Sequence, residues 1–203
     1  MGFLRTLFGP SKDEIWGQLA EQVQGQFVNG GFFSPSKIVA TTDHWMVTLD
    51  TYTVSTGKSS TTYTRMRAPY VNSDGFQFTI YPEGFFSPLG RVLGMQDISI
   101  GDPSFDEQFV MKGNDEAKVR RFFDDDTLKT LICDQPHILF QVKDDEGWFG
   151  TSFPKGVDEL YFQRVGVMKD LAELRSLFEL FSYSLHRLCH LGSAYENDPG
   201  ISL

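Results

Sequence analysis

Trp45-Met46-Val47-Thr48-Leu49-Asp50-Thr51-Tyr52-Thr53-Val54 is where the chain leaves a helical period for an extended one. Met46, Thr48, Asp50 and Tyr52 alternate with Trp45, Val47, Leu49 and Thr51, and in a strand such alternate residues face opposite sides. Its Thr, Val and aromatic side chains suit a pleated surface. Working outward, Ile38-Val39-Ala40 leads into it and Ser55-Thr56-Gly57-Lys58 turns the chain. Thr61–Val71 and Phe76–Tyr81 flank Asn72-Ser73-Asp74-Gly75, whose glycine supplies a positive φ. These segments predict an antiparallel meander.

Helical spacing brackets the meander. Lys12–Val28 carries Ile15, Trp16, Leu19, Val23 and Phe27 at three- and four-residue intervals, with Ser11 and Glu14 in capping-box register and Asn29-Gly30-Gly31 as the stop. Near the other end, Leu171, Leu174, Phe178, Phe181, Leu185 and Leu188 keep the same spacing. Leu177, Leu180 and Leu191 widen that stripe beyond what one sheet face needs, which predicts contact with a second helix or another subunit. Between them, Asp97–Ile100 and Gln108–Met111 read as short strands around the turn Gly101-Asp102-Pro103. Asn114 or Asp115, and then Asp124–Asp126, start short helices ending at Phe123 and Cys133. His137–Lys143, Gly147–Phe153 and Glu159–Met168 read as strands, the first two joined by an Asp144–Gly147 hairpin turn. The expected fold is α+β: an antiparallel sheet with N- and C-terminal helices packed on it and short helices in the middle. Residues 1–10 are an apolar N-terminal segment, 11–192 a single domain with a sub-lobe boundary near 82–95, and 193–203 a loose tail.

Composition excludes several classes. With 203 residues, 40% hydrophobic, the chain is long enough for one substantial core and too apolar for disorder. No apolar run approaches the roughly 20 residues of a bilayer span. The 18 Lys+Arg against 27 Asp+Glu leave a net charge of −9, which argues against nucleic acid as a partner. Arg65, Arg67, Lys118, Arg120 and Arg121, the densest basic cluster, have acidic neighbours and read as a solvated face. Cys133 and Cys189, each in an apolar stretch, read as buried free thiols of a reducing compartment. That places the protein in the cytoplasm. Residues 1–8, with Phe3, Leu4, Leu7 and Phe8, add the reading of a peripheral contact with a membrane surface.

The chain holds 19 Phe. The doublets Phe32-Phe33, Phe85-Phe86 and Phe122-Phe123 cannot all point inward on strands. Gly31-Phe32-Phe33-Ser34-Pro35 recurs as Gly84-Phe85-Phe86-Ser87-Pro88, a repeat that duplication or aromatic-rich composition explains. Phe32, Phe33, Phe85, Phe86, Leu180 and Leu191 are the candidate binding surface.

Candidate chemistry is sparse. His186 and His190 share a helix face at i, i+4 with Glu179 a heptad before His186, but zinc needs a further ligand. Asp102 and Asp106, with His137, offer carboxylates for acid–base work, a role that requires one of them desolvated. Asp124–Asp126 and Asp144–Glu146 lack the register of a calcium loop. No Gly-x-Ser-x-Gly elbow, phosphate-binding glycine loop, His-Glu-x-x-His or Cys-x-x-Cys pair occurs. No cofactor and no small-molecule substrate is indicated.

Asp97-Ile98-Ser99-Ile100-Gly101-Asp102-Pro103-Ser104-Phe105-Asp106-Glu107-Gln108-Phe109-Val110 resembles a segment of uncharacterised bacterial domain-of-unknown-function proteins. In them a Gly-Asp-Pro-x-Phe-Asp-x-x-Phe-Val stretch precedes a short helix and a Leu-rich turn. The resemblance implies a bacterial α+β protein and no particular activity. Greasy rings outnumber reactive groups, so the expected function is a non-enzymatic binding or interaction module with a protein partner or self-association. The alternatives are a small hydrolase or metal-dependent enzyme built on the acidic and His residues, and a membrane-peripheral protein through residues 1–8.

Overall fold

The computed structural model describes residues 9–31, 34–84, 96–135, 137–144 and 153–203. Residues 1–8, Phe32, Phe33, Phe85, Phe86 and all but the last residue of the Gly147–Phe153 strand lie outside the described residues, and with them the expectations that fall there.

Helix α1 (Lys12–Gln22) starts on the expected capping box, Ser11 Oγ accepting from the Glu14 amide while Glu14 accepts from the Ser11 amide. It ends six residues earlier than the apolar spacing suggests. Gln24 takes φ +52°, and Gly25 runs so close to the next strand that a Cβ would lie 2.9 Å from that of Ala40. Residues 26–28, including Phe27, become strand β1 (Gln26–Val28) instead.

Strands β2 (Lys37–Thr42), β3 (Trp45–Ser55) and β4 (Ser60–Val71) follow as an antiparallel meander. It stops there. β5 (Phe78–Pro82), β6 (Gln96–Asp97), β7 (Phe109–Gly113), β8 (Leu139–Lys143) and β9 (Val157–Val165) complete, among the described residues, a nine-stranded sheet in the order β1-β2-β3-β4-β9-β8-β5-β7-β6. β4 therefore pairs with β9, through Met66↔Phe162, and not with β5 across the Asn72–Gly75 turn. Asn72 explains the divergence. Its amide donates to Asp158 at 2.6 Å and to the Phe76 carbonyl at 3.1 Å, and its carbonyl caps the Gly75 amide at 2.9 Å, so the turn is tied to β9.

Helix α2 (Pro103–Asp106) is capped by Asp102 where a plain turn is expected, and of the Asp97–Ile100 strand only Asp97 lies in β6, because Asp106 draws the Ile100 and Gly101 amides to its carboxylate. Helices α3 (Glu116–Phe123), α4 (Asp126–Cys133) and α5 (Leu171–His190) begin on Asp115, Asp125 and Asp170 caps. No helix among the described residues is long and apolar enough to cross a membrane.

The register sorts the sheet into two faces. Trp45, Val47, Leu49, Met66, Ala68, Leu160, Phe162, Phe140, Val142, Ile80 and Met111 share one face with the helices above it, in a single core. α5 packs against α1 and α4 as well as the sheet, which accounts for its wide stripe. Leu180 is wholly buried there and Leu191 packs against the same core, so Leu180 presents no surface to a partner. Phe122 and Phe123 are both buried because they lie on α3 and not on a strand; their rings sit 4.7 and 5.3 Å from that of Phe78.

Two further expectations change. Cys133 is exposed: Leu128 and Ile132 hold the inner side of α4, and the next residue is turned about 100° away. Cys189 is half-buried. The 193–203 tail is tethered, with Ser193 buried and bonded to Asp74, Ala194 bridged to Asn72, and the Leu203 carbonyl accepting from Lys37. Phe140 touches Phe78 and Phe181 and joins sheet to helix, so Phe140→Ala should lower the unfolding free energy by about 3–5 kcal/mol in urea titration.

Candidate functional site

The face of the sheet turned away from the helices is polar, and much of it is also buried. Thr48, Asp50, Arg67, Thr79, Glu159, Tyr161 and Gln163 are each less than 8% exposed. The strand register assembles them. Asp50 lies opposite Arg65 and Arg65 opposite Gln163, while Thr48 faces Arg67 and Arg67 faces Tyr161.

Asp50 is the hinge of this layer. Arg65 holds it in a bidentate fork, Nε to Oδ1 at 2.7 Å and a terminal nitrogen to Oδ2 at 3.0 Å, and Arg67 adds a bond to Oδ2 at 2.8 Å. Such charge-assisted pairs are the strong ones. The Gln163 side-chain oxygen accepts from both the Tyr52 and Tyr161 hydroxyls. Burial pushes both phenols above their ordinary range, so they remain donors at neutral pH. At one flank Lys143 pairs with buried Glu159 at 3.2 Å and lies 3.6 Å over the Tyr161 ring.

Toward the β3–β4 turn the layer reaches the surface. Tyr52 and Tyr63 stack at 5.1 Å with 17° between planes, and the Arg65 guanidinium lies 4.9 Å over Tyr52. Val165, opposite Tyr63, is 55% exposed and Val54 is 41% exposed. The result is a fixed aromatic and aliphatic platform standing on buried ion pairs.

The residues singled out from sequence for chemistry do not converge. Asp102 caps α2 and accepts from Lys129 at 2.8 Å and from Ser104 at 2.9 Å. The Lys129 ammonium, with Ser104 and the Phe105 amide, holds its carboxyl down at about 2. Asp106 takes the Ser99 hydroxyl and the Ile100 and Gly101 amides; burial pushes its carboxyl up, but these bonds outweigh it and the net shift is downward. Neither is set to hold a proton near neutrality, as a general acid must. Asp106 also borders a cleft of about 280 Å³ floored by Ile98, Phe109 and Met111, with Glu83 and Asp97 at its rim. His137 is exposed at a turn with φ +61°, bonded to neither carboxylate.

His186 turns to the β2–β3 connection, 2.9 Å from Asp43, with its ring 5.3 Å from that of Trp45. Glu179 and His190 stay exposed, and no three His, Cys, Asp or Glu side chains among the described residues are grouped to hold a metal.

No family model matches the chain, and no curated protein does. The fold is similar to that of a solved structure, the mycobacterial trehalose monomycolate transport factor A, TtfA. The TM-score is 0.54 over 87% of this chain and 94% of that chain, at 9% identity. That likeness is one of fold alone.

Sequence alone puts Arg65 and Arg67 on a solvated face, whereas the fold sets both in the polar layer. Arg67 is 3% exposed. One signal was available: an Asp inside an alternating strand, followed across a short turn by two arginines two residues apart, is the pattern of a cross-strand ion-pair row.

Asp50→Asn leaves two guanidinium groups without their shared carboxylate, and denaturant titration should show a loss of about 3–5 kcal/mol. Asp102 behaves differently, since its carboxyl is depressed in the folded state. Its contribution to stability is present above the ordinary carboxyl value of about 3.9 and is lost as pH falls through the folded one. NMR titration should find the Asp102 midpoint near 2, and Lys129→Gln should raise it.

Proposed function

We propose that this chain is a non-enzymatic binding module that meets a protein partner through the outer face of β3, β4 and β9, around Tyr52, Tyr63, Arg65 and Val165. The observation that carries this reading is the platform itself. A stacked tyrosine pair and two exposed valines stand on side chains already locked by Asp50 and Gln163. Tyr and Arg dominate interface energetics, and groups fixed before binding lose little rotamer freedom on contact. The carboxylates available for the enzymatic alternative are instead bound to a lysine and to backbone amides. The protein of similar fold is, by name, a transport factor, which agrees with a role in recognition.

A photo-cross-linking residue placed at Val165 in cells tests this. A single defined adduct should form, weaken when Tyr63 is changed to Ala, and be absent when the same residue replaces exposed Lys155. No adduct at Val165, or the same products from Lys155, would remove the surface as a recognition site.

A further inference from the structure

The β3–β4 ribbon outruns its neighbours. β2 accompanies β3 only as far as Ile38↔Leu49, and β9 accompanies β4 only as far as Tyr63↔Val165, while the ribbon itself continues to Ser55↔Ser60. Every residue from Thr53 to Ser60 is exposed. The outer edge of β3 over Thr53–Ser55 thus offers backbone N–H and C=O groups that no strand among the described residues pairs.

Natural sheets protect such edges with charge, proline or a bulge, because a bare edge is a template for another strand. Thr51-Tyr52-Thr53-Val54-Ser55 contains no charge and no proline. Nor does a bulge interrupt its ribbon, since the β3–β4 register runs one to one as far as Ser55↔Ser60. Hydroxyl pairs Thr53–Thr62 at 2.9 Å, Ser55–Ser60 at 2.8 Å and Thr56–Ser59 at 2.9 Å tie its two strands together to the tip. Of the five large hydrophobic residues exposed among the described residues, Val54 lies on this ribbon, and Val165 and Val167 lie at and just past the end of the adjoining β9.

We propose that this edge pairs antiparallel with the same edge of a second copy of the chain. The proposal rests on the binding-module reading and names the partner. Charge favours this location: two copies at net −9 repel, yet residues 51–64 carry a single charged side chain, Lys58. Sequence favours it as well. Pairing about a two-fold axis at Thr53 sets Tyr52 of one copy across from Val54 of the other on the platform face, an aromatic opposite a β-branched side chain. It also covers the exposed Val54 of both copies. With so few residues in register, the interface falls below the roughly 1,200 Å² of stable complexes and the dimer is a weak, reversible one.

Sedimentation velocity across a wide concentration range, extending to roughly millimolar to reach weak association, provides the test. The purified chain should shift from monomer to dimer as concentration rises. Val54→Lys puts a cation into each copy's pairing edge and should weaken association at least about tenfold, with melting temperature unchanged. Thr53→Cys in a Cys133→Ser background should form a disulfide-linked dimer faster than Gln22→Cys, a control on the exposed side of α1. A monomer at every concentration would overturn the proposal. So would a dimer indifferent to Val54→Lys, or equal cross-linking at the two cysteine positions. Any of these with a Val165 adduct to a different protein leaves the binding module standing; no adduct at Val165 removes the module reading itself.

Discussion

A carboxylate shut away from water must be answered by positive charge, and in this molecule Asp50 is answered twice. Arg65 and Arg67, successive outward-facing residues of β4, both close on it, and β9 then supplies Gln163 and Tyr161 alongside. Truncating Asp50 leaves Arg67 buried and charged without this carboxylate, so the strands that carry the two are held in one register. A slip of one residue would send Arg67 into the apolar core and Met66 or Leu49 out of it. The ion-pair row on one face and the apolar stripe on the other enforce the same alignment.

That alignment has consequences along the sheet. Once β9 is committed to β4, β8 follows through Phe140↔Phe162 and β5 through Ile80↔Phe140, and the aromatic residues of the other face fall into line beneath α3 and α5. Phe78 touches Phe122, Phe123 and Phe140, and Phe140 touches Phe181, so one chain of rings runs from α3 through the sheet to α5. Edge-on and tilted ring contacts add to the area that burial removes from water. Among the described residues every phenylalanine but two is thus buried core material; Phe27, on the edge strand, packs half-buried against the core, and Phe153 is half-buried outside it.

The same construction separates two kinds of acidic residue. Asp102, Asp106, Asp115, Asp125 and Asp170 end or begin helices and accept backbone amides, which occupies their carboxylate oxygens. Asp158, burdened by burial and held by Asn72, has its carboxyl pushed upward, yet its neighbour fixes a turn and does no chemistry that the geometry displays. Recognition through the tyrosine platform is the reading that uses surface the fold has already made rigid.

What the sequence determined is whatever depends on near neighbours. The alternation through Trp45–Val54, the Ser11–Glu14 box, the aspartate caps of the middle helices and the long period of 171–190 each declare their element, because capping and periodicity are satisfied within a few residues. The α+β class and the antiparallel sheet followed from these. Tertiary structure alone decided which strands meet. Asn72–Gly75 has the chemistry of a hairpin turn, yet β4 takes a partner some ninety residues later, since burying both faces of the strand outweighs a local turn preference. It also turned Arg67 from a solvated charge into a buried one and left Arg65 half-buried beside it, because whether a charged side chain meets water depends on what the rest of the chain lays over it.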